Sequence, residues 1–336
     1  MQAKDISFII PVFNRPNEVK ELLESFIGLE GEKDFEIVIV EDGSTLSSKK
    51  ITEYYINKLN ISYYFKENSG PGDSRNYGMK HAKGNYFIIL DSDCILPKNY
   101  LNIVLKSLNK TYVDCFGGPD AAHGSFSNLQ KAINFSMTSF MTTGGIRGKK
   151  SSVNKFQPRS FNMGLSKTAF QATGGFGRIH PGEDPDLSIR LNKLNFETRL
   201  IVDAYVFHKR RISWSKFYRQ VYKFGSVRPI LNKWYPETNR ITYWFPTLFA
   251  FGLLFSFVLF FMRIELPLKI FGLYFVLSFI IALVNTKNLF VAFQSIPAIL
   301  IQFLGYGYGF LKSTLVLSLS KKHAEELFPN LFFKVK

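Results

Sequence analysis

Two aspartates two positions apart follow an apolar segment of the sequence, a spacing that suits binding of a phosphorylated ligand. Asp91 and Asp93 come directly after the run from Tyr86 to Leu90. Because residues i and i+2 leaving a strand point to the same side, both carboxylates can reach one site. Such hard oxygen ligands suit Mg²⁺ or Mn²⁺ bridging the phosphates of a nucleotide. An Asx turn that starts the next helix is an equally good interpretation of this pair alone.

A second acidic cluster, Glu183, Asp184 and Asp186, precedes a helix-like run from Leu187 to Leu194. Pro185 stands where a first helical residue is expected, so the cluster reads as an ordinary helix start. The same arrangement holds a carboxylate rigidly, where it could act as a general base toward a sugar hydroxyl. The spacing leaves both interpretations open.

The elements that would position these carboxylates alternate between short β-rich runs and helix-like segments. This alternation predicts βαβ units, hence an α/β fold with a mainly parallel sheet and helices on both faces. The predicted strands are 6–11, 36–40, 61–65 and 86–90, and the predicted helices are 18–27, 74–82 and 99–108.

Polar segments follow three of the predicted strands: 11–15, 41–44 and 91–93. Ligands gather at the carboxyl edge of such sheets, so the three segments are expected on one rim. The stretch 142–159 is rich in Gly, Ser, Thr, Lys and Arg and lacks apolar periodicity. It predicts a mobile loop that closes over a ligand, and an inert surface loop is an equal alternative.

Composition excludes a disordered or fibrous protein and indicates a membrane protein. The 336 residues are 46% apolar and carry a formal net charge of +16. Three stretches near the C-terminus (241–262, 270–286 and 288–311) contain no charged residue and hold 22, 17 and 24 residues. A bilayer core needs about 20 apolar helical residues, so we expect an integral membrane protein in which the first two stretches form a hairpin. The third, diluted by glycines, glutamines and a proline, is expected to lie in the interface or to re-enter.

The compartment is predicted from weaker signals. No signal peptide is expected, because polar residues and prolines interrupt the first apolar run. Only two cysteines, Cys94 and Cys115, are present, which suits a reducing cytosolic compartment for residues 1–240.

A basic segment lies just before the apolar stretches, with ten Lys and Arg but two acids between Arg199 and Arg240. Helical spacing of its aromatic and apolar residues predicts an amphipathic helix (Trp214, Phe217, Tyr218, Val221, Tyr222). We favour an interfacial helix with aromatics at headgroup depth and cations facing anionic lipid over a helix packed on the domain. A nucleic-acid partner is not expected, because no basic groove with stacking aromatics appears upstream.

Seven short motifs in order resemble the family 2 glycosyltransferases over residues 6 to about 225. They are IPVFN (10–14), VEDGS (40–44), GPGDSRNYG (70–78), LDSD (90–93), NMG (162–164), GGF (174–176) and GEDPDL (182–187). The resemblance implies a GT-A fold, a UDP- or GDP-sugar donor, a divalent metal and inversion at the anomeric carbon.

Site residues follow from the same resemblance. It implies a nucleotide site (Pro11, Phe13, Asn14, Asp42, Arg75, Lys83, Asp91), a metal site (Asp93 and, more weakly, His208) and one catalytic base, Asp184. Asp42 would contact the base, Arg75 the diphosphate, with Lys83 a weaker candidate, and Asp91 the ribose or a metal-bound water. Glu41 stands where the family more usually has Asp, which leaves its role in doubt.

Processive polysaccharide synthases of this family carry a Gln-x-x-Arg-Trp motif, and residues 210–214 here read RRISW. We therefore expect a transferase of single sugars to a lipid-linked or glycan acceptor, at the cytosolic face of the inner (plasma) membrane and in contact with its lipids. An inactive membrane-anchored nucleotide-sugar binding or scaffold protein is the alternative. The expected organisation is a catalytic domain (1–210), a basic interfacial segment (211–240), a membrane region (241–318) and a basic tail (319–336).

Overall fold

The computed structural model describes residues 1–121, 123, 126–144, 156–209 and 213–333. These residues divide into two compact units. The first contains Met1–His123, Gly148–Lys209 and Phe333–Lys336, and the second contains Gly124–Arg147 and Arg210–Phe332. Two parts of this division differ from the expected organisation, because residues 124–147 join the apolar unit and the end of the chain joins the first unit.

The first unit is built on a mixed sheet with the strand order β3-β2-β1-β4-β8-β6-β9. Pairs β1–β2, β2–β3, β1–β4 and β6–β9 are parallel, and β8 runs antiparallel to both neighbours. A small second sheet has the order β5-β10-β7. The strands are β1 (Ile6–Val12), β2 (Glu36–Asp42), β3 (Ile61–Lys66), β4 (Tyr86–Leu90), β5 (Cys94–Ile95), β6 (Cys115–Gly117), β7 (Asp120–Ala121), β8 (Asn162–Ser166), β9 (Thr198–Leu200) and β10 (Val206–His208).

Helices cover both faces of this sheet and make up the described core of the second unit. They are α1 (Pro16–Ile27), α2 (Lys49–Tyr55), α3 (Pro71–His81), α4 (Tyr100–Lys110), α5 (Asn128–Thr138), α6 (Phe140–Thr143), α7 (Lys167–Thr173), α8 (Glu183–Lys193), α9 (Trp214–Trp234), α10 (Phe245–Phe261), α11 (Leu266–Thr286), α12 (Leu289–Leu319) and α13 (Ala324–Leu327).

Alternate residues of the central strands enter two separate cores, which confirms the predicted α/β architecture. Ile37 and Ile39 of β2 join a cluster with α1 and α4, whereas Val38 and Val40 join a cluster with α3, α7 and α8. A strand buried on both faces reads as a continuous apolar run, because helices cover each face. The sheet is mainly parallel, as expected, and the antiparallel β8 was not anticipated.

Predicted boundaries hold best where the apolar run is unambiguous. The strand Tyr86–Leu90 matches its prediction, while α8 begins at Glu183, two residues before Pro185, the expected first helical residue. Most of the predicted loop 142–159 lies outside the described residues, and Thr142 and Thr143 end α6.

The second unit holds three helices long and apolar enough to cross a membrane, among the residues described: Ile241–Phe261, Leu266–Thr286 and Leu289–Leu319. The third is one helix of 31 residues, about 46 Å long at 1.5 Å per residue. The predicted segment 288–311 falls in this one helix and its N-cap, and its placement in the interface or as a re-entrant segment stays a prediction.

Glycines allow α9 and α12 to pack at close range. A Cβ added at Gly225 or Gly309 would overlap backbone oxygens of the facing helix, and one added at Gly305 would lie 2.7 Å from Val221 Cγ2. Phe217 is fully buried in a cluster with α5 and α12. The expectation that the Phe217 ring lies at headgroup depth is therefore wrong, because other helices of this unit already cover that ring.

Candidate active site

Asp93 lies at the centre of the site, just beyond the carboxyl end of β4. Its Oδ2 accepts a hydrogen bond from Arg15 Nη1, and its Oδ1 lies 3.2 Å from His208 Nε2. Burial raises the pKa of Asp93, but His208 and Arg15 outweigh it and hold that pKa well below its usual range. The carboxylate is therefore ionised at neutral pH.

The small sheet brings His208 to the two aspartates. In the β5–β10 pair, His208 stands opposite Cys94, the residue after Asp93. The imidazole stacks on Phe161 with ring centroids 4.9 Å apart, and its Nε2 lies 3.8 Å from Asp91 Oδ2. The sequence placed His208 after an apolar run, and the structure brings it together with Asp91 and Asp93.

Arg75 does not point its cation at an open diphosphate site, which corrects the role predicted for it. Its guanidinium is buried, donating to Asp91 Oδ1 at 2.8 Å and Glu183 Oε1 at 3.2 Å, and it lies 5.2 Å from the Phe176 ring. A buried cation that already pairs with two carboxylates has its charge balanced before any diphosphate binds. Arg75 instead joins the end of β4 to the start of α8.

Asp184 lies in the first turn of α8, directly beside this ion pair. Burial and the neighbouring Glu183 carboxylate raise the pKa of Asp184 above its usual range. Its Oδ1 is buried without a hydrogen-bond partner among the described residues. Glu183 behaves oppositely: burial raises its pKa, but His180 and Arg75 lower it to about 2. Of the two adjacent carboxylates, Asp184 is the one whose environment makes it the stronger base.

Asp42 ends β2 and holds the loop that leads into α3. Its oxygens accept from Lys66 Nζ at 2.7 Å and from the backbone amides of Ser69 and Gly70 at 2.9 Å each. Glu41 is fully buried and accepts from the Ser48 amide at 2.8 Å, so its contacts lie at the start of α2.

The predicted nucleoside residues lie together at the end of β1. Phe13 is 50% exposed, and Pro11 pairs with Val40 across the β1–β2 ladder. Asn14 has a positive φ of 54°, and its Oδ1 accepts from the amides of Thr45 and Leu46 at 2.8 Å. Asn14 thus fastens the loop after β2 to the loop after β1, and contact of these residues with a nucleoside stays a prediction.

Lys83 lies at the wrong edge of the sheet, so its predicted diphosphate contact is wrong. It precedes β4, and its amide donates to Glu36, the first residue of β2, at 2.8 Å. The five-residue strand β4 separates this edge from Asp91 by about 16 Å.

Arg15, His180 and Glu183 belong to the site but were not assigned a role from the sequence. Arg15 immediately follows the IPVFN motif, so its position in the sequence could have indicated a role in the site. Glu183 was seen only as part of a helix start. His180 carries no local signal: its Nδ1 lies 3.0 Å from Glu183 Oε1 through the turn before α8.

A model of the family described as glycosyl transferase family 2 matches residues 7–173. Residues 7–173 therefore form a family 2 glycosyltransferase domain. The match includes Asp91 and Asp93, whereas Asp184 and His208 lie beyond it. The family that the motifs suggested is thus confirmed for residues 7–173.

Curated relatives support the same family. An uncharacterized glycosyltransferase of Rickettsia felis is 40% identical over 105 residues, 31% of this chain and 17% of that protein. The poly(ribitol-phosphate) beta-N-acetylglucosaminyltransferase TarS of Staphylococcus aureus is 34% identical over 111 residues, 32% of this chain and 19% of that protein. The matched region spans less than a fifth of either relative.

A solved structure confirms the GT-A fold of the glycosyltransferase. The mannosyltransferase PcManGT from Pyrobaculum calidifontis, in complex with GDP-Man and Mn²⁺, superposes with a TM-score of 0.57 and 14% identity. The superposition covers 90% of this chain and 87% of that one.

Proposed function

We propose that this protein transfers one sugar from a UDP- or GDP-sugar to a lipid-linked or glycan acceptor, with inversion at the anomeric carbon. One observation carries the proposal: Arg75 ties Asp91 at the end of β4 to Glu183, the neighbour of Asp184 on α8. This ion pair fixes two kinds of carboxylate at one edge of the glycosyltransferase sheet. Asp91 and Asp93 suit a metal-bound diphosphate, and Asp184 suits removal of a proton.

The reaction would proceed in one displacement. The acceptor hydroxyl oxygen forms a bond to the anomeric carbon as the bond from that carbon to the diphosphate oxygen breaks. The electron pair of the broken bond leaves with the nucleoside diphosphate, and the acceptor proton passes to Asp184. The raised pKa of Asp184 makes it a better proton acceptor than an ordinary aspartate. No covalent enzyme intermediate is needed.

A divalent cation fits the donor set at Asp93. Asp91, Asp93 and His208 offer two carboxylates and an imidazole, a set that suits Mn²⁺ or Mg²⁺. Cys94 lies close to Asp93 and His208, but burial raises the pKa of its thiol well above the usual range, so it remains protonated. When bound, the cation would neutralise diphosphate charge. Arg15, whose side chain is 32% exposed, is the cation of this chain placed to assist it.

Known relatives agree with a nucleotide-sugar donor without choosing the sugar. The Staphylococcus aureus relative is named as an N-acetylglucosaminyltransferase, and the Pyrobaculum structure holds GDP-Man with Mn²⁺. These names support sugar transfer and a divalent metal for the present chain, and they motivate testing both UDP- and GDP-sugars.

From the three apolar helices we propose that the protein lies in the inner membrane and that its glycosyltransferase domain faces the cytosol. Met1–His123 and Phe333 belong to the same compact unit, so the chain returns to the side it left. The number of crossings between them is then even, and one of the three helices does not cross. We assign that role to α12, because it packs along α9, whose exposed Lys216 and Arg219 are costly in hydrocarbon.

Turnover of candidate donors tests the proposed activity. Purified full-length protein with Mn²⁺ or Mg²⁺ is expected to hydrolyse one of a panel of UDP- and GDP-sugars slowly, and Asp184→Asn is the matched control. Metal-dependent binding of UDP or GDP without any turnover across donors and acceptors would favour the alternative of an inactive binding or scaffold protein.

Cysteine labelling tests the proposed topology. Both native cysteines are buried, so Lys336→Cys supplies the thiol to be labelled. In intact cells it should resist a membrane-impermeant maleimide until lysis. Labelling before lysis would place the tail outside and contradict the even number of crossings.

A further inference from the structure

Phe333, near the end of the chain, contacts two loops of the glycosyltransferase domain. Phe333 donates its backbone N–H to Arg178 O at 3.1 Å, and its ring centroid lies 5.7 Å from that of His180. The ring also lies against Gly70, where an added Cβ would overlap the ring carbons. Only a glycine at position 70, which also has a φ of 96°, permits this approach.

Each loop touched by Phe333 carries part of the candidate site. Gly70 and Ser69 donate their amides to Asp42, the carboxylate assigned to the nucleotide base. On the other loop, His180 contacts Glu183, which adjoins Asp184 and pairs with Arg75. The ring thus contacts both the donor-side loop and the turn before the proposed catalytic base.

We propose that Phe333 is a positioning residue that clamps the loop 66–70 to the loop 178–183. The inference rests on the proposed function for the meaning of these loops, since a held Asp42 binds the donor and a held Asp184 accepts the proton. A second tie between the same regions is the close approach of Gly177 O to Gly72, 2.9 Å from where a Cβ would lie. Phe333 adds a further contact to each loop from a segment that belongs to neither of them.

Loss of the ring should loosen both loops together. In Phe333→Ala, hydrogen exchange of the backbone amides in 66–70 and 178–183 is expected to accelerate, measured on the full-length protein in detergent without nucleotide. Because loosened loops must be ordered again when the donor binds, the affinity for UDP or GDP with Mn²⁺ should fall roughly several-fold. Phe333→Tyr should restore both properties, since it keeps the ring.

Phe332→Ala is the matched control, because the neighbouring ring packs on Trp234 at 6.0 Å within the second unit. It should leave exchange in both loops unchanged. Unchanged exchange in Phe333→Ala, or acceleration in only one loop, overturns the clamp. If the wild-type protein binds neither UDP nor GDP, the proposed function fails, while the exchange measurement still decides whether Phe333 holds the loops.

Discussion

Replacing Arg75 by Met separates the role that the structure gives this residue from the role that the family resemblance implied. The side chains of Arg75 and Glu183 are only 4% and 6% exposed, and they lie 3.2 Å apart. Met fills much of the same volume but removes the charge, so Glu183 loses its buried partner and retains only His180. Asp91 is less affected, because it is 31% exposed.

Breaking a buried ion pair by removing one partner costs about 3–5 kcal/mol, because the remaining charge is left uncompensated. For a domain of 150–250 residues, each kcal/mol corresponds to about 2–4 °C in Tm, so Arg75→Met should lower Tm by roughly 6–20 °C. Arg15→Met is the contrasting variant. Arg15 is 32% exposed, and Asp93 keeps its contact with His208, so the Tm of Arg15→Met should fall by less than that of Arg75→Met.

Thermal unfolding of the full-length variants in detergent, followed with and without UDP and Mn²⁺, decides between the two roles. Arg75→Met should show the larger loss of stability without nucleotide, and Arg15→Met should show the larger loss of nucleotide affinity. A Tm for Arg75→Met within about 2 °C of wild type, together with a large loss of UDP affinity, would refute the reasoning and return the diphosphate contact to Arg75.

Three further outcomes are expected. Asp184→Asn should keep UDP binding and lose about 10²–10⁴-fold in kcat, and near-normal turnover would reduce Asp184 to a helix-start residue. The acid limb of the wild-type profile should lie at a higher pH than an ordinary aspartate would give, because the raised pKa of Asp184 keeps the base protonated to higher pH. Asp93→Ala should abolish metal-dependent UDP binding by calorimetry, and unchanged affinity would remove it from the metal site. Lys83→Ala should leave donor KM unchanged, and a several-fold rise would contradict its place at the far edge.

Strand-end logic predicted the location of the carboxylates because it depends on chain direction alone. A buried run such as Tyr86–Leu90 fixes β4, and chain direction then puts Asp91 and Asp93 at its carboxyl end. The same logic, applied strictly, would have excluded Lys83, which precedes that run. Lys83 was assigned from the resemblance alone, although its position before β4 already argued against a place at the carboxyl edge.

Partners of buried charges could not be predicted in the same way. The pairing of Arg75 with Glu183 joins residues 108 positions apart and depends on how α8 meets α3. Similarly, the glycines of α12 suggested from the sequence that this segment is less suited to cross a membrane. In the structure, Gly305 and Gly309 are the points at which α9 contacts α12. Periodicity shows which face of a helix is apolar, but not whether lipid or another helix covers it.

The charge balance of the site explains why a metal ion should be required before the diphosphate binds. Four carboxylates, Asp91, Asp93, Glu183 and Asp184, face three guanidinium groups, Arg15, Arg75 and Arg159, whose charges reach them. The imidazoles of His180 and His208 also lie against Glu183 and Asp93. Arg75 pairs with two of the carboxylates, so an approaching diphosphate meets carboxylate charge in a partly desolvated setting, where such interactions are strong. A divalent cation on Asp93 reverses that sign, so donor affinity should depend on the metal far more than on any one arginine.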